Sequence, residues 1–515
     1  MSTLATTIET QSVSEDRKSS NTLNKVVAGT SALGLATVIE RGLSMAASVL
    51  AARWGGASVF GAYSLALTTA NNISAYTGSG IGNTAVRFAG AHDRSSREYG
   101  PITRALLLVT ACSCVLAALL MLAASGPLAH YVLKIDGLTN LIRFSAVSAA
   151  AIIALECAKG FFVGQRAHSA LLLLASLAGI GLLAVVPLAS RTGPTPMVLG
   201  HGVVVLFAVL VCIGLAGPLK LKPLVRNKAH QPLGPAIRQV WGFGMVQLTS
   251  LLSMNMAGWW LTSMIARSDP SMVQTGLFAV SHQIRNMVAM APAMLAQSTY
   301  ALMIDRDGDS EGAANRMVSL CTFATSGISL ALAGIGIMAA PWILPAVYGS
   351  TYQAAVLPTV VALATAVAHM GSAPIFGRLT IVNVKRSGTI NLIWAVAVAS
   401  AATCFVSAGG ALTATFIYLG GFLLMSWLNL GSLRRYGLAP GVLSVTLISQ
   451  ASACAMVALA FLRIRHPASQ GLLAIASLLI LGAALFSLVR LARHHRWIPA
   501  GLSVRHLAAA LKGGA

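Results

Sequence analysis

Charge is scarce in this chain. Only 9% of its 515 residues are charged and 13 are acidic, against 56% hydrophobic, where a soluble domain carries about 25% charged residues. A soluble protein of this length would split into domains with polar linkers between them. Here apolar runs recur from Val26 to Arg490, each of about twenty residues and long enough to cross ~30 Å of hydrocarbon. A β-barrel is excluded, because its spans run to about ten residues and alternate in polarity. The chain reads as an all-α polytopic membrane protein.

Other absences narrow the function. No G-x-x-x-x-G-K-[ST] loop is present, so this chain is not expected to hydrolyse ATP. No H-E-x-x-H motif, cysteine-pair metal site or nucleophile elbow occurs, and the expected cofactor list is empty. Large outer loops, which a membrane glycan polymerase or ligase would use, are missing, so a transporter is expected rather than an enzyme. No apolar targeting core or small-residue cleavage site precedes Val26, and residues 1–24, with Arg17 and Lys18, read as a retained polar tail. The seven cysteines fall in or near apolar runs and read as small packing residues.

What is present is a regular series of spans. Fourteen are expected, at about 26–52, 59–90, 101–124, 139–162, 168–189, 196–217, 236–266, 275–303, 316–340, 353–379, 388–408, 411–432, 440–462 and 469–490. With the N-terminus inside, 26 basic residues fall on the inner side and six on the outer, namely Arg53, Lys134, Arg191, Arg267, Arg463 and Arg465. That asymmetry predicts both termini in the cytoplasm. It also makes the net charge of +22 a topology signal rather than a nucleic-acid footprint. Arg463 and Arg465 are its local exception.

The chain also repeats itself. "ARWGGASVFGAYSLA" (52–66) returns as "ARSDPSMVQTGLFAVS" (266–281), with Arg53 answered by Arg267 and Gly61 by Gly276. Asp93, Arg94 and Arg104 recur as Asp305, Arg306 and Arg316 at a constant offset of 212. An even number of spans per half gives both halves one orientation, the pattern of parallel repeats related by an axis along the membrane normal. The expected organisation is a tail (1–24), a six-helix lobe (25–218), a basic cytoplasmic linker (219–234), a second six-helix lobe (235–433), and two further helices with a basic tail (434–515).

Six plus six plus two spans, with "ARWGGASVFGAYSLALTTANN", "GSGIGNTAVRFAGAH" and "ILPAVYGSTYQAAVLPTVVAL" (343–363) at corresponding places, resemble the polysaccharide flippases. These are the Wzx-like members of the multidrug/oligosaccharidyl-lipid/polysaccharide exporter superfamily. The resemblance implies a bacterial inner-membrane protein that moves a polyprenyl diphosphate carrying one glycan repeat unit between leaflets. The unit would then be polymerised into O-antigen, capsule or exopolysaccharide. It also implies alternating access around a central cationic cavity, driven by a proton or sodium gradient or by polymerase machinery consuming the product.

Intramembrane charges are the candidate site. In "ATVIERGLSMAASVL" (36–50), Glu40 and Arg41 lie about fourteen residues into an apolar run, roughly 21 Å along a helix. A charge at mid-bilayer costs ~2.5–3.5 kcal/mol on insertion scales, so it faces a bundle interior or a cavity. In "LFAVSHQIRNMVAMAPAML" (277–295), Arg285 is accompanied by His282 and Gln283, with His282 and Arg285 three apart on one face. By the repeat, Arg41 corresponds to Asn255 and Arg285 to Ala70, next to Asn71. Arg41 and Arg285 suit a diphosphate because a guanidinium is planar, bidentate and always ionised. Substrate contacts are expected from Arg41, Arg285, His282, Asn71, Asn255 and Gln283, and ion coupling from Glu40 and His369. The bland alternatives are interhelical salt bridges for the charges and a satisfied core histidine for His369. Glu156 and Lys159, one turn apart, are expected to neutralise each other. Competing readings are a cation-coupled multidrug exporter, which would favour carboxylates, a peptidoglycan-precursor flippase, and a membrane glycan polymerase.

Overall fold

The computed structural model describes residues 2–78, 80–91, 96, 99–220, 233–305, 311–437, 441–495 and 497, with the side chains of 2–33, 216–220, 243–252, 301–302, 304–305, 311–313 and 467 excepted. The basic linker and the Asp93/Arg94 and Arg306 repeat positions lie outside these residues in whole or part. Every long element is a helix: α1 (Ser2–Thr77), α2 (Ile81–Ala91), α3 (Tyr99–Pro127), α4 (Thr139–Gly164), α5 (His168–Ser190) and α6 (Pro194–Lys220). They are followed by α7 (Leu233–Ser268), α8 (Val273–Asp305), α9 (Glu311–Tyr348), α10 (Val356–Val382), α11 (Val384–Leu433), α12 (Val442–Arg465) and α13 (Gln470–His494). A helix satisfies its own backbone groups, which lipid cannot do, and that is why apolar runs of this length fold this way.

Two helices are too long for one crossing. The 76 residues of α1 would run about 114 Å if straight, several times the hydrocarbon thickness, and Gly56 interrupts them at φ 76°, ψ 174°. In α11 the break is Gly409–Gly410, with Gly410 at φ 53°, ψ −129°, a conformation open to glycine alone. Beyond that break the chain folds back. The Trp394 ring lies 5.9 Å from Tyr418 and 5.2 Å from Phe422, across the turn. Gln274 of α8 fixes the corner by accepting a hydrogen bond from the Ala411 amide at 3.1 Å. Counting α1 and α11 as two segments each, and α2 as the continuation of α1 past Gly78–Gly80, the described residues form fourteen helical segments. Ten stretches, each broken helix taken once, are long and apolar enough to cross a membrane by length and composition. The protein is a multi-pass membrane protein.

Contacts divide the chain into two units. The first comprises Met1–Trp54, Ala66–Ala129 and Asp136–Leu251; the second comprises Gly55–Leu65, His130–Ile135 and Leu252–Ala515. Within the first, α4 is packed by α2, α3 and α6. Its Gly160 lies so close to α2 that a Cβ there would overlap the Gly82 carbonyl oxygen. Ser74 and Ser148 tie neighbouring helices to α4 through the carbonyls of Ala149 and Val198, at 2.9 and 2.8 Å. Within the second unit α10 is central, packed by α8, α9, α11 and α12. An unbroken stretch from Thr359 to Ala368 is buried, so this helix is apolar or small on every face.

Candidate functional site

The second unit holds a buried cation. Phe278, His282 and Arg285 fall at i, i+4 and i+7 on α8, one stripe of the helix, and that stripe faces α10 and the second half of α11. Arg285 is 5% exposed. Its two terminal nitrogens meet His369 Nδ1 at 2.9 Å and His282 Nε2 at 3.4 Å. Its guanidinium carbon lies 5.0 Å from the centre of the Phe422 ring and 5.6 Å from that of Tyr418. His369 packs on Phe422 with centroids 4.3 Å apart, and His282 meets Tyr418 edge-on at 5.5 Å. A small cavity opens beside the guanidinium, bounded also by Ala362, Thr365 and Thr415, with room for about one water molecule.

Among the described residues no carboxylate pairs with this charge. The segment 270–304 contains no Asp or Glu, and neither does 312–515. Asp269 lies sixteen residues earlier in the chain, before α8 begins, and is occupied there, accepting from the Gln274 amide at 2.7 Å and from Ser271. Burying an ion costs several kcal/mol unless it is paired. Here the compensation comes from two aromatic faces, worth about 0.5–2 kcal/mol each, and two imidazole lone pairs. Nε of Arg285 has no hydrogen-bond partner among the described residues.

The first unit treats its charges differently. Glu40 accepts from Lys159 at 2.6 Å, and Lys159 also reaches Glu156 at 3.3 Å. The expected Glu156–Lys159 pair is thus a triad that includes Glu40. Arg41, the next residue, is exposed. Glu40 lies sixteen residues before Gly56, about 24 Å along α1, and a crossing of about twenty residues counted back from that turn begins just before it. The two charges therefore sit near an end of the span rather than at its middle, the depth that the start of the apolar run suggested. Asn71 and Asn255 are exposed and Gln283 half-buried.

Of the residues singled out from sequence, His282, Arg285 and His369 come together in the second unit. Glu40, Arg41 and Asn71 belong to the first. Tyr418, Phe422, Thr365 and Thr415 were missed. Two signals point to them: the absence of any acid after Glu311, and an aromatic pair at i, i+4 in the twelfth span.

The fold has known counterparts. A multidrug resistance MATE family transporter of the MOP superfamily, in an inward-facing conformation, superposes with a TM-score of 0.62 at 16% identity, over 79% of this chain and 95% of its own. The lipid II flippase MurJ, in an inward closed conformation, gives 0.59 at 12% identity, over 90% and 98%. A MOP superfamily transporter from Pyrococcus furiosus, described by a reverse polarity of its binding pocket that suggests a different function, gives 0.55 at 15%, over 80% and 96%. No curated protein matches the sequence. The family model described as polysaccharide biosynthesis protein matches residues 26–303, more than half of the chain. The chain is a member of the polysaccharide biosynthesis protein family, built on the fold of the MOP superfamily transporters.

Proposed function

We propose that this protein is a flippase for an anionic, lipid-linked glycan precursor. Its substrate is a polyprenyl diphosphate carrying an oligosaccharide, moved between leaflets for polysaccharide assembly. The observation that carries this reading is Arg285: a buried cation in a unit with no carboxylate within reach. An exporter of organic cations needs the opposite polarity at its site. A diphosphate, by contrast, supplies the missing negative charge, and a guanidinium binds it through charge-assisted, bidentate hydrogen bonds. The cavity beside Arg285 is smaller than a diphosphate, so loading requires α8, α10 and the second half of α11 to part, as alternating access provides. In the first unit the Glu40–Lys159–Glu156 triad is the candidate for coupling to a cation.

Leaflet-resolved transport of a labelled polyprenyl diphosphate oligosaccharide in proteoliposomes tests the proposal. Wild type translocates it. Arg285→Gln, at matched insertion, loses about ten- to a hundredfold in rate, the range expected for removing a charge-assisted hydrogen bond. Transport of cationic dyes but of no such lipid would favour the exporter reading. A peptidoglycan precursor shares the diphosphate chemistry, and competition between the two lipids separates those readings.

A further inference from the structure

The two histidines are both turned to Arg285 with a ring nitrogen, and this fixes their chemistry. A guanidinium has five donors and no acceptor, and it stays protonated in proteins. Each facing nitrogen must therefore present a lone pair. His369, facing with Nδ1, carries its proton on Nε2; His282, facing with Nε2, carries its proton on Nδ1. Both rings are neutral. They hold the guanidinium in place as acceptors, where a carboxylate would have neutralised it. Protonating either ring replaces an acceptor by an N–H and sets a second positive charge against the first.

We infer that His282 and His369 are positioning residues that link proton binding to anion binding at Arg285. The inference rests on the reading of Arg285 as the site of the lipid diphosphate. Without an anion, a protonated ring repels Arg285 and the cluster stays singly charged. With a diphosphate at the guanidinium, the same proton is stabilised by the new negative charge. The turned imidazolium becomes a further donor to a phosphate oxygen. Linkage is reciprocal, so acid tightens anion binding by the factor by which the anion favours protonation. The charged and titratable groups facing the pair are Arg285, on the same helix as His282, and one another, with Tyr418 from α11. From α10 and α12 no carboxylate is available to carry the effect instead, since 312–515 has none, and the one acid of α9, Glu311, is its first residue.

The test is equilibrium binding of a short-chain prenyl diphospho-monosaccharide to the full chain in detergent. Both phosphates of this probe are esterified on each side of the diphosphate, so its charge is constant between about pH 5.5 and 8, where imidazoles titrate. Calorimetry in two buffers of different ionisation enthalpy counts the protons taken up. Wild type should bind more tightly as pH falls, by up to about tenfold per unit for one proton, with matching proton uptake. His369→Gln keeps an acceptor for Arg285 but has no proton to gain. It should lose most of the pH slope. His369→Leu, which strands a guanidinium N–H, should bind weakly at every pH. Wild-type binding that is independent of pH, or that weakens in acid, would overturn the linkage and leave the flippase reading standing. An unchanged slope in both His369→Gln and His282→Gln would do the same. Failure of wild type to bind the probe at any pH would instead overturn the lipid reading, and the linkage with it.

Discussion

Lys159 and Arg285 show two ways in which one residue's charge is tolerated inside a helical bundle. Lys159 sits between two carboxylates, at 2.6 and 3.3 Å, and its loss strands both. Glu40 is one of two partners, and its loss leaves Lys159 with Glu156. Lys159→Met should therefore lower the unfolding midpoint in detergent clearly more than Glu40→Gln does. The Glu40 change should cost about 1 kcal/mol or less, because the pair is partly solvated. Equal effects would mean that the triad does not act as a unit. Arg463, an exception to the charge asymmetry along the chain, is explained at the same scale. It is buried, donates to the Met338 carbonyl at 3.2 Å and lies 4.3 Å over the Trp342 ring. It is thus a fastening of α12 to α9 rather than a solvated loop charge. Nothing in its own segment predicts this, because both partners lie more than a hundred residues earlier.

At the scale of elements, helix existence was legible, and so were the corners at which α1 and α11 break. Apolar runs of bilayer length are dictated by the solvent, so the spans expected at 139–162 and 168–189 emerge as Thr139–Gly164 and His168–Ser190. The corner between the spans expected to end at 408 and begin at 411 falls on Gly409–Gly410. The contact between the two matched segments was not legible. Gly61 and Gly276, matched in sequence, touch within the second unit: a Cβ on Gly61 would overlap the Met272 carbonyl, and one on Gly276 the Ala57 carbonyl. The Ser58 hydroxyl donates to the Ser271 carbonyl beside them at 2.5 Å. The obstructing atoms are backbone, so no side chain can yield. Gly276→Val should force the two helix starts apart and cost several kcal/mol, in the range of severe overpacking. A Ser58→Cys/Ser271→Cys pair should crosslink readily in the wild-type background and poorly with Gly276→Val. Unchanged crosslinking would show that the contact is not close-packed in the membrane.

Across the whole molecule no acidic residue falls in 270–304 or in 312–515, and this distribution argues for a function at the cost of stability. A protein selected for stability alone would place a carboxylate beside Arg285, since one substitution on α10 or α11 suffices and an unpaired buried ion is expensive. Thr365 bounds the same cavity, and Thr365→Asp would supply that counter-ion. The variant should unfold at a higher temperature than wild type while losing lipid transport, because an internal carboxylate satisfies the guanidinium that the diphosphate must otherwise engage. Adding Arg285→Gln to it should remove the stabilisation, since the new carboxylate then lacks its partner. If Thr365→Asp were neither more stable nor less active, the positive charge at Arg285 would not be what the transport cycle uses. The sign of the substrate's charge would then have to be read from Arg41 and the first unit instead.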